Sequence, residues 1–313
     1  MYMKVRCLSC QIAGTDQDIR NGCHPECAET LFGTKVPPEV PFSTPDIVSE
    51  SQKMVGKMSV SGVQPKLSVI HNPIKRQLTV VERGGVYILK PQTDRFPYLP
   101  ENENLCMCIA SVYGMDVPQH GLIPLQDGRF AYLVKRFDRT EDGFRLQQED
   151  FQQLLETNDK YDGSYERIAN FIKKHSEMPG SDLLNLYERA LLFFILGNGD
   201  AHLKNFSLIR PRDAAGYRLS PAYDIVSSRL ALPEEREEAC LSLQGKRNRL
   251  SHRDFVRLSE HFGLTGEQTA HVSERLIKLK PGIEKMIKAS FLPESLISGF
   301  LDIFRERMKR MFG

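Results

Sequence analysis

The sequence predicts an α+β fold with two lobes, a small β-rich lobe followed by a larger α-helical lobe. Alternating apolar residues dominate from about residue 55 to 135, whereas apolar residues recur at helical spacing after about residue 148. The chain has 313 residues, which is enough for two domains of about 100–200 residues each. Hydrophobic residues make up 41% and charged residues 26%, which excludes disordered and collagen-like chains.

The charge balance and the apolar runs argue against two classes of function for this chain, nucleic-acid binding and membrane spanning. Lys plus Arg number 42 against 40 for Asp plus Glu, so we expect no direct nucleic-acid contact. The most apolar run, residues 190–196, is far shorter than the roughly 18 residues of a membrane span. The N-terminus also lacks an apolar signal core. We expect a cytoplasmic protein with no membrane partner, and export without a readable signal stays open.

Residues 1–40 form a short segment that contains four of the seven cysteines. Cys7-x2-Cys10 and Cys23-His24-x2-Cys27 are two ligand pairs separated by a 12-residue loop, a spacing typical of a zinc knuckle. Cys7, Cys10 and Cys27, with either Cys23 or His24, would supply four ligands to a structural zinc ion. In the alternative, the cysteines are buried and bind nothing. Four prolines between positions 37 and 45 place a boundary near residue 40.

Residues 41–137 form the predicted β-rich lobe. Two apolar runs, 78–81 and 86–89, flank Gly84-Gly85, and this pattern predicts a hairpin because both positions of a tight turn favour glycine. A helix over 102–113 and a strand over 130–137 follow.

Residues 138–313 form the predicted α-helical lobe. Apolar residues between 183 and 195 recur at helical spacing behind Ser181, the predicted N-cap. Ser251-x-x-Asp254 and Thr265-x-x-Gln268 match the capping boxes of two further helices. An apolar stripe marks a final helix, at Phe300, Phe304, Met308 and Met311.

The strongest chemical signal is the run Gly199-Asp-Ala-His-Leu-Lys-Asn205, directly after the packed helix. Asp200 and Asn205 have the Asp-x4-Asn spacing of a kinase catalytic loop, in which the Asp acts on the acceptor hydroxyl and the Asn holds Mg²⁺. Asp224 follows 19 residues later, where a second metal ligand is expected. Each match alone also fits an ordinary polar turn.

Three further features precede this run. Lys90 ends a predicted strand and is a candidate for contact with phosphates, and Glu103 in the next helix is a candidate for its ion-pair partner. Glu101 competes with Glu103 for that role. The loop from Ser59 to Lys66 offers backbone N–H groups to phosphates, although its single glycine also suits a plain β-turn. All these features follow one another in the order of a protein kinase.

The same residues resemble the HipA-like serine/threonine kinases of bacterial toxin–antitoxin modules. The resemblance runs from about residue 55 to the C-terminus and implies a bilobal, protein-kinase-like fold with ATP and Mg²⁺ in its cleft. Six strings carry it: Ser59-Val-Ser-Gly-Val-Gln-Pro-Lys66, Asn102-Glu103 before Cys106, Lys135-Arg-Phe-Asp-Arg139, Gln148-Glu-Asp-Phe151, Gly199-Asp-Ala-His-Leu-Lys-Asn-Phe-Ser207 and Pro221-Ala-Tyr-Asp-Ile225.

The resemblance also implies a role for each matching residue. Asp200 would be the catalytic base, in a loop shaped by His202 and Lys204, and Asn205 and Asp224 would bind Mg²⁺. The implied nucleotide contacts are Lys90 supported by Glu103, the backbone of the hinge from Lys135 to Phe137, and the phosphate-loop residues Ser59, Ser61, Gly62 and Lys66.

Autophosphorylation is a further implication of the resemblance. Ser59 aligns with a serine that is modified in such kinases, and Ser61 is a second candidate. A phosphate adds about −1.5 to −2 charges, which would repel ATP and inactivate the enzyme.

The short N-terminus leads us to expect the split form, HipT, of a HipBST-type module. Its expected partners are a small HipS-like subunit and a HipB-like DNA-binding antitoxin. The implied substrate is an aminoacyl-tRNA synthetase, whose phosphorylation stalls translation. Two alternatives stay open: a small-molecule kinase of the same fold, and a catalytically silent binding protein whose cysteine knuckle contacts nucleic acid.

Overall fold

The computed structural model describes residues 5–15, 17–55, 64–140, 143–235 and 237–313. The chain divides into two compact units. The first comprises residues 1–108, 118–143 and 290–292, and the second comprises residues 109–117, 144–289 and 293–313. The predicted α+β fold, with a β-rich N-terminal region and a helical C-terminal part, is confirmed by the order of the elements.

The first unit contains most of the β structure. Helix α3 contributes its first ten residues to this unit and its last five to the second. In chain order the elements are β1 (Val5–Arg6), β2 (Ala13–Gly14), α1 (Pro25–Phe32), α2 (Thr44–Val55), β3 (Leu67–Asn72), β4 (Gln77–Val80), β5 (Tyr87–Pro91), α3 (Leu99–Tyr113), β6 (His120–Pro124) and β7 (Phe130–Lys135).

Five antiparallel strands form the sheet of this unit, in the order β4-β3-β5-β7-β6. The central strand β5 pairs with β7 so that Leu89 is opposite Leu133 and Lys90 is opposite Tyr132. One hydrophobic core joins this sheet to the cysteine-rich segment, because residues such as Leu8 and Ile19 are buried in the same cluster as Leu89. The N-terminal segment is therefore packed on the sheet.

The predicted hairpin around Gly84-Gly85 is wrong. Strand β3 lies between β4 and β5, so the strands on either side of the two glycines are not neighbours. The tight turn is instead the one between β3 and β4, where Arg76 takes a left-handed φ of 51°. Gly85 serves a different purpose, because a Cβ at this position would lie 2.0 Å from the Ser68 hydroxyl on β3.

The second unit is mainly helical, with a three-stranded sheet in the order β10-β9-β8. None of the helices among the described residues combines the length and the apolar character of a membrane span. In chain order its elements are β8 (Gln147–Asp150), α4 (Phe151–Leu154), α5 (Tyr165–His175), α6 (Pro179–Leu196), a 3-10 turn (Leu203–Asn205), β9 (Ser207–Arg210), β10 (Arg218–Leu219), α7 (Ser228–Ala231), α8 (His252–Phe262), α9 (Gly266–Lys288) and α10 (Glu294–Phe312).

Helix α6 is the central helix of this unit, with 13 of its 18 residues buried. Its predicted N-cap, Ser181, is wrong by one turn, because Pro179 starts the helix after the cap residue Met178. Proline suits a first helical position, where no intrahelical N–H bond is lost. The two predicted capping boxes, at the starts of α8 and α9, are confirmed, and so is the buried stripe of α10.

Candidate active site

A buried ion pair in the first unit joins β5 to α3. The Nζ of Lys90 lies 2.7 Å from Oε1 of Glu103, and the two side chains are only 11% and 4% exposed. Lys90 Nζ also lies 5.5 Å from the centre of the Tyr132 ring on the neighbouring strand. A buried pair of this kind fixes the position of both charged groups.

Glu101, the predicted competitor, is not the partner of Lys90 in this ion pair. It lies two residues before Glu103 on α3, and residues two apart do not share a helix face. Glu101 is buried, and burial raises the pKa of its carboxyl to about 7. Its Oε2 has no hydrogen-bond partner among the described residues.

The predicted hinge follows strand β7. The Lys135 amide donates to the Gln119 carbonyl and the Arg136 amide donates to the Val86 carbonyl, both at 2.8 Å. Phe137 is half-buried, as is Lys135. Two backbone N–H groups of this segment are thus engaged within the first unit.

Sequence reasoning missed the carboxylate that anchors this segment. Asp138 is buried and accepts two bonds from the Arg136 guanidinium, at 2.8 and 2.7 Å, and one from Arg139 at 2.6 Å. Burial alone would raise the pKa of Asp138, but the bonds and charges of the two arginines hold it below its usual range. The signal was present in the string Arg136-Phe-Asp-Arg139, where two cations flank one carboxylate.

Most of the predicted phosphate loop lies outside the described residues, including Ser59, Ser61 and Gly62. Its last residue, Lys66, is exposed immediately before β3. Gln64 donates from Nε2 to the Pro91 carbonyl at 3.1 Å. This bond ties the end of the loop to the residue after Lys90.

In the second unit, the Asp-x4-Asn run forms a compact turn between α6 and β9. The His202 amide donates to the Asp200 carbonyl at 2.8 Å and contacts Oδ1 of Asn205 at 3.0 Å. The Asn205 amide donates back to the His202 carbonyl at 2.9 Å. Asp200 and Lys204 are exposed, whereas Asn205 is 8% exposed. The backbone therefore fixes the loop while the Asp200 carboxylate faces water.

A second carboxylate is presented by the segment after β10. Asp224 is exposed and has a left-handed φ of 55°, a conformation that Asp tolerates better than most residues. The preceding Tyr223 donates from its hydroxyl to the Lys204 carbonyl at 2.8 Å and also contacts the Ser207 hydroxyl at 3.2 Å. Tyr223 thus links the Asp224 segment to the loop that carries Asp200 and Asn205.

His202 is placed among these charged groups. Burial and the Lys160 charge lower the pKa of its imidazole, while the carboxylates of Asp200 and Asp224 act in the opposite direction. The ring packs edge-on against Tyr161 at 5.7 Å. The His202 imidazole is therefore half-buried within the loop, and its backbone is bonded to both Asp200 and Asn205.

A hydrogen-bond centre at Ser207 supports both segments. Its buried hydroxyl contacts the Ser220 hydroxyl at 3.0 Å and accepts from Nε2 of Gln148 at 3.0 Å. These bonds join β8, β9 and the residue after β10. Gln148 belongs to one of the strings that carry the resemblance, but its role could not be read from the sequence.

Two further charged residues near the loop were also missed. Arg189 of α6 is buried and donates from Nη2 to the Ser220 carbonyl, and burial lowers the pKa of its guanidinium to about 10. Glu235 lies beside Gly199, and burial together with the Asp200 charge raises the pKa of its carboxyl. No local spacing marks either residue, because the contacts that place them, with Ser220 and with Gly199, join residues more than 30 positions apart.

The donor atoms of this loop suit phosphoryl transfer. Asn205 and Asp224 supply an amide oxygen and a carboxylate oxygen, which are ligands that Mg²⁺ accepts together with water and phosphate oxygens. Asp200 supplies a second exposed carboxylate. The residues present therefore fit a magnesium-bound phosphate group in the chemistry of their donors.

The predicted zinc ligands form a separate cluster in the first unit. The ligand atoms of Cys7, Cys10, His24 and Cys27 all lie within 4.8 Å of one another. Cys23 is not part of this group, although it is buried in the same hydrophobic core as Cys7. Of the two predicted choices for the fourth ligand, the structure places His24 with the three thiols.

Comparison with known proteins identifies relatives of this chain. A protein of Haemophilus influenzae named "Putative kinase" is 33% identical over 301 residues, which cover 87% of each chain. The serine/threonine-protein kinase toxin HipA of Shewanella oneidensis is 27% identical over 194 residues, which cover 55% of this chain and 43% of the toxin.

A solved structure shows the same fold. It contains Shewanella oneidensis HipA with HipB and operator DNA, and its HipA-type chain superimposes with a TM-score of 0.68 at 22% identity. The match covers 82% of this chain and 66% of that one, and it confirms the predicted kinase-type fold class. The profile of the HipA-like C-terminal domain matches residues 58–282. The chain therefore belongs to the HipA-like family.

Proposed function

We propose that this chain is an ATP-dependent protein serine/threonine kinase. The buried ion pair between Lys90 and Glu103 is the observation that carries the proposal. Burying two charges rarely stabilises a fold more than apolar residues of similar volume, so such a pair needs a reason other than stability. In kinases the reason is that the glutamate holds the lysine in position to contact the phosphates of ATP.

Each residue has a distinct task in the proposed reaction. Asp200 accepts the proton of the acceptor hydroxyl, and its exposure leaves the carboxylate open to a substrate. Lys90 neutralises phosphate charge, and Glu103 keeps its ammonium group in place. His202 and Tyr223 hold the backbone that carries Asp200 and Asp224.

ATP supplies the phosphoryl group, and Mg²⁺ neutralises the charge that develops on it. In this proposal Asn205 and Asp224 hold the metal, and the backbone between Lys135 and Phe137 contacts adenine. Ser59, Ser61, Gly62 and Lys66 cover the phosphates, with Ser59 or Ser61 as the site of inhibitory autophosphorylation.

The biological part of the proposal is that the chain is the toxin of a bacterial toxin–antitoxin module, in the split HipT form. The name of the Shewanella relative, a kinase toxin, and the presence of HipB and operator DNA in the solved assembly support it. The proposed partners are a HipB-like antitoxin and a HipS-like subunit, and the proposed substrate is an aminoacyl-tRNA synthetase in the cytoplasm.

Intact mass spectrometry after incubation with ATP and Mg²⁺ tests the activity. We expect wild type to gain phosphate on Ser59 or Ser61, and Asp200→Asn to gain none. Asp213→Asn is the matched control, because Asp213 is an exposed carboxylate of the same unit outside the loop. The control should gain phosphate as wild type does.

Two results would favour the other candidate functions. ATP turnover with a small hydroxylated acceptor, without any phosphoprotein, would indicate a small-molecule kinase. Growth arrest that is equal for wild type and Asp200→Asn on induction would indicate a catalytically silent binding protein.

A further inference from the structure

Three thiols and one imidazole converge at the start of the first unit. The ligand atoms of Cys7, Cys10, His24 and Cys27 lie within 4.8 Å of one another, and Sγ of Cys10 lies 3.5 Å from Nδ1 of His24. In a tetrahedral zinc site, bond lengths of about 2.3 Å to sulfur and about 2.0 Å to nitrogen put these two atoms about 3.5 Å apart. The cluster thus has the spacing of a ligand set.

A short turn and the start of helix α1 present these four groups. The Gln11 amide donates to the Cys7 carbonyl at 2.9 Å, which closes the turn that contains Cys7 and Cys10. His24 is the N-cap of α1, and Cys27 lies in the first turn of that helix. The His24 amide points to Sγ of Cys7 at 3.4 Å, a contact that favours a thiolate.

The composition of the cluster favours zinc over other biological metals. Three cysteines and one histidine form a closed tetrahedral set, which is typical of structural zinc and leaves no position for a substrate. Mg²⁺ and Ca²⁺ prefer oxygen ligands and do not suit thiolates. Cys10 and Cys27 are half-buried, so their thiols are poorly placed to act only as core residues.

The turn between the first two cysteines rests on the sheet and on helix α3. The Leu8 carbonyl accepts from the Leu122 amide at 2.8 Å and from Nδ2 of Asn104 at 3.2 Å. Ser9 donates from its hydroxyl to the His120 carbonyl at 2.7 Å. Gly121 permits this approach, because a Cβ there would lie 3.1 Å from the Ser9 Cα.

These contacts reach the residue next to Glu103. Asn104 is fully buried, and its Oδ1 lies 2.9 Å from Nδ1 of His120. Further along α3, the Cys108 thiol donates to the Ser9 carbonyl at 3.1 Å. Leu8 and Ser9, the two residues between the cysteine ligands, therefore bond to α3 at positions 104 and 108, about one helical turn apart. The first of these positions directly follows the glutamate that pairs with Lys90.

We propose that Cys7, Cys10, His24 and Cys27 bind one structural Zn²⁺ ion, and that this ion holds the Leu8–Ser9 turn against helix α3. The ion is a positioning element for the helix that carries Glu103. The zinc site itself does not depend on the proposed kinase activity, so its test needs no substrate.

Metal analysis of the purified full chain, from cells grown with added zinc, is the first measurement. We expect about one zinc per chain in wild type, the number that one four-ligand site holds. Cys10→Ser and Cys27→Ser should lose it. His24→Ala should release zinc at a chelator concentration that leaves wild type loaded, whereas Cys23→Ala should keep it. Retention in His24→Ala with loss in Cys23→Ala would overturn the ligand set.

Cobalt substitution gives a second measurement for variants that fold poorly. Wild-type chain loaded with Co²⁺ should show the intense visible absorption of a tetrahedral site and a thiolate charge-transfer band. A metal-free wild type that also fails to develop these bands on addition of Co²⁺ would overturn the site.

Hydrogen exchange tests the effect on α3. Chelator treatment should lower amide protection in residues 99–108, while protection of the α8 helix in the second unit serves as the control. Unchanged protection of residues 99–108 in zinc-free, folded protein would overturn the positioning role.

Discussion

The Lys90–Glu103 pair and the Asp200–Asp224 loops both carry charge, but the fold treats them in opposite ways. In the first unit the charged atoms are buried and 2.7 Å apart. In the second unit both carboxylates are exposed, and hydrogen bonds to the backbone hold the segments that carry them. In the first arrangement, loss of either side chain leaves a buried charge unpaired, whereas in the second both carboxylates are already exposed to water.

This difference predicts how mutations separate stability from activity. A buried charge that loses its partner lowers the free energy of unfolding of the chain. An exposed carboxylate is solvated already, so its replacement leaves the folded state almost unchanged. Loss of function is expected in both regions, but loss of stability in only one.

Asp200→Asn should have the largest effect on activity. Removal of a general base typically lowers the rate by about 10²–10⁴-fold, because Asn cannot accept the proton of the acceptor hydroxyl. The free energy of unfolding should change by no more than about 0.5 kcal/mol, since the side chain is exposed. Phosphoryl-transfer rates and urea unfolding of the same sample measure both quantities. Strong destabilisation by Asp200→Asn would contradict the contrast between the buried ion pair and the exposed carboxylates.

Glu103→Gln should have the largest effect on stability. It removes the carboxylate that faces the buried Lys90 ammonium, and breaking a buried pair by removing one partner costs about 3–5 kcal/mol. The double variant Glu103→Gln with Lys90→Met should recover most of this loss without recovering activity. Denaturant unfolding of the three variants tests this. Equal stability of the single and double variants would contradict the role of a buried, unpaired charge.

Glu101→Gln is the matched control on the same helix, and its effect should depend on pH. Burial raises the pKa of Glu101 from 4.5 to about 7 in the folded state, so between these values only the folded chain holds the proton. Wild-type stability should therefore fall as pH rises from 4.5 to 7. Gln does not titrate, so the variant should be more stable than wild type above pH 7, by up to about 3 kcal/mol.

Thermal unfolding of wild type and Glu101→Gln between pH 4 and pH 8 measures this window. The difference should vanish near pH 4, where the carboxyl is protonated in both states. A difference that is constant across the whole range would show that Glu101 does not titrate in this way.

The sequence predicted features that depend on neighbouring residues. The capping boxes of α8 and α9 and the long helix before the Asp200 loop are set by local spacing, and they are present in the structure. The hairpin at Gly84-Gly85 was wrong because strand pairing is not local. Strand β3, which separates β4 from β5, comes earlier in the chain and gave no signal at the turn.

Choices between adjacent residues also needed the structure. Glu101 and Glu103 are both carboxylates in the first turns of α3, and only the direction of the helix face assigns one of them to Lys90. Cys23 and His24 are adjacent in the chain, and the side chain of either could bind zinc. His24, the N-cap of α1, is the one that lies with the three thiols. Arg189 reaches the Ser220 carbonyl from a distant helix, so no spacing rule could find it.

Of these variants, Tyr223→Phe should have the smallest effect on stability and activity. It tests which bonds hold the exposed segments that carry Asp200 and Asp224. The hydroxyl bonds the Lys204 carbonyl and the Ser207 hydroxyl, and losing such bonds costs about 1–3 kcal/mol when the partners are buried. Because Lys204 is exposed and water can replace one bond, we expect the lower end of that range, with a modest fall in phosphoryl-transfer rate. Tyr217→Phe, which removes an exposed bond to Gln147, is the control and should be neutral. If Tyr223→Phe instead abolished activity at unchanged stability, the hydroxyl itself would take part in the chemistry, and the exposed region would depend on more than its backbone.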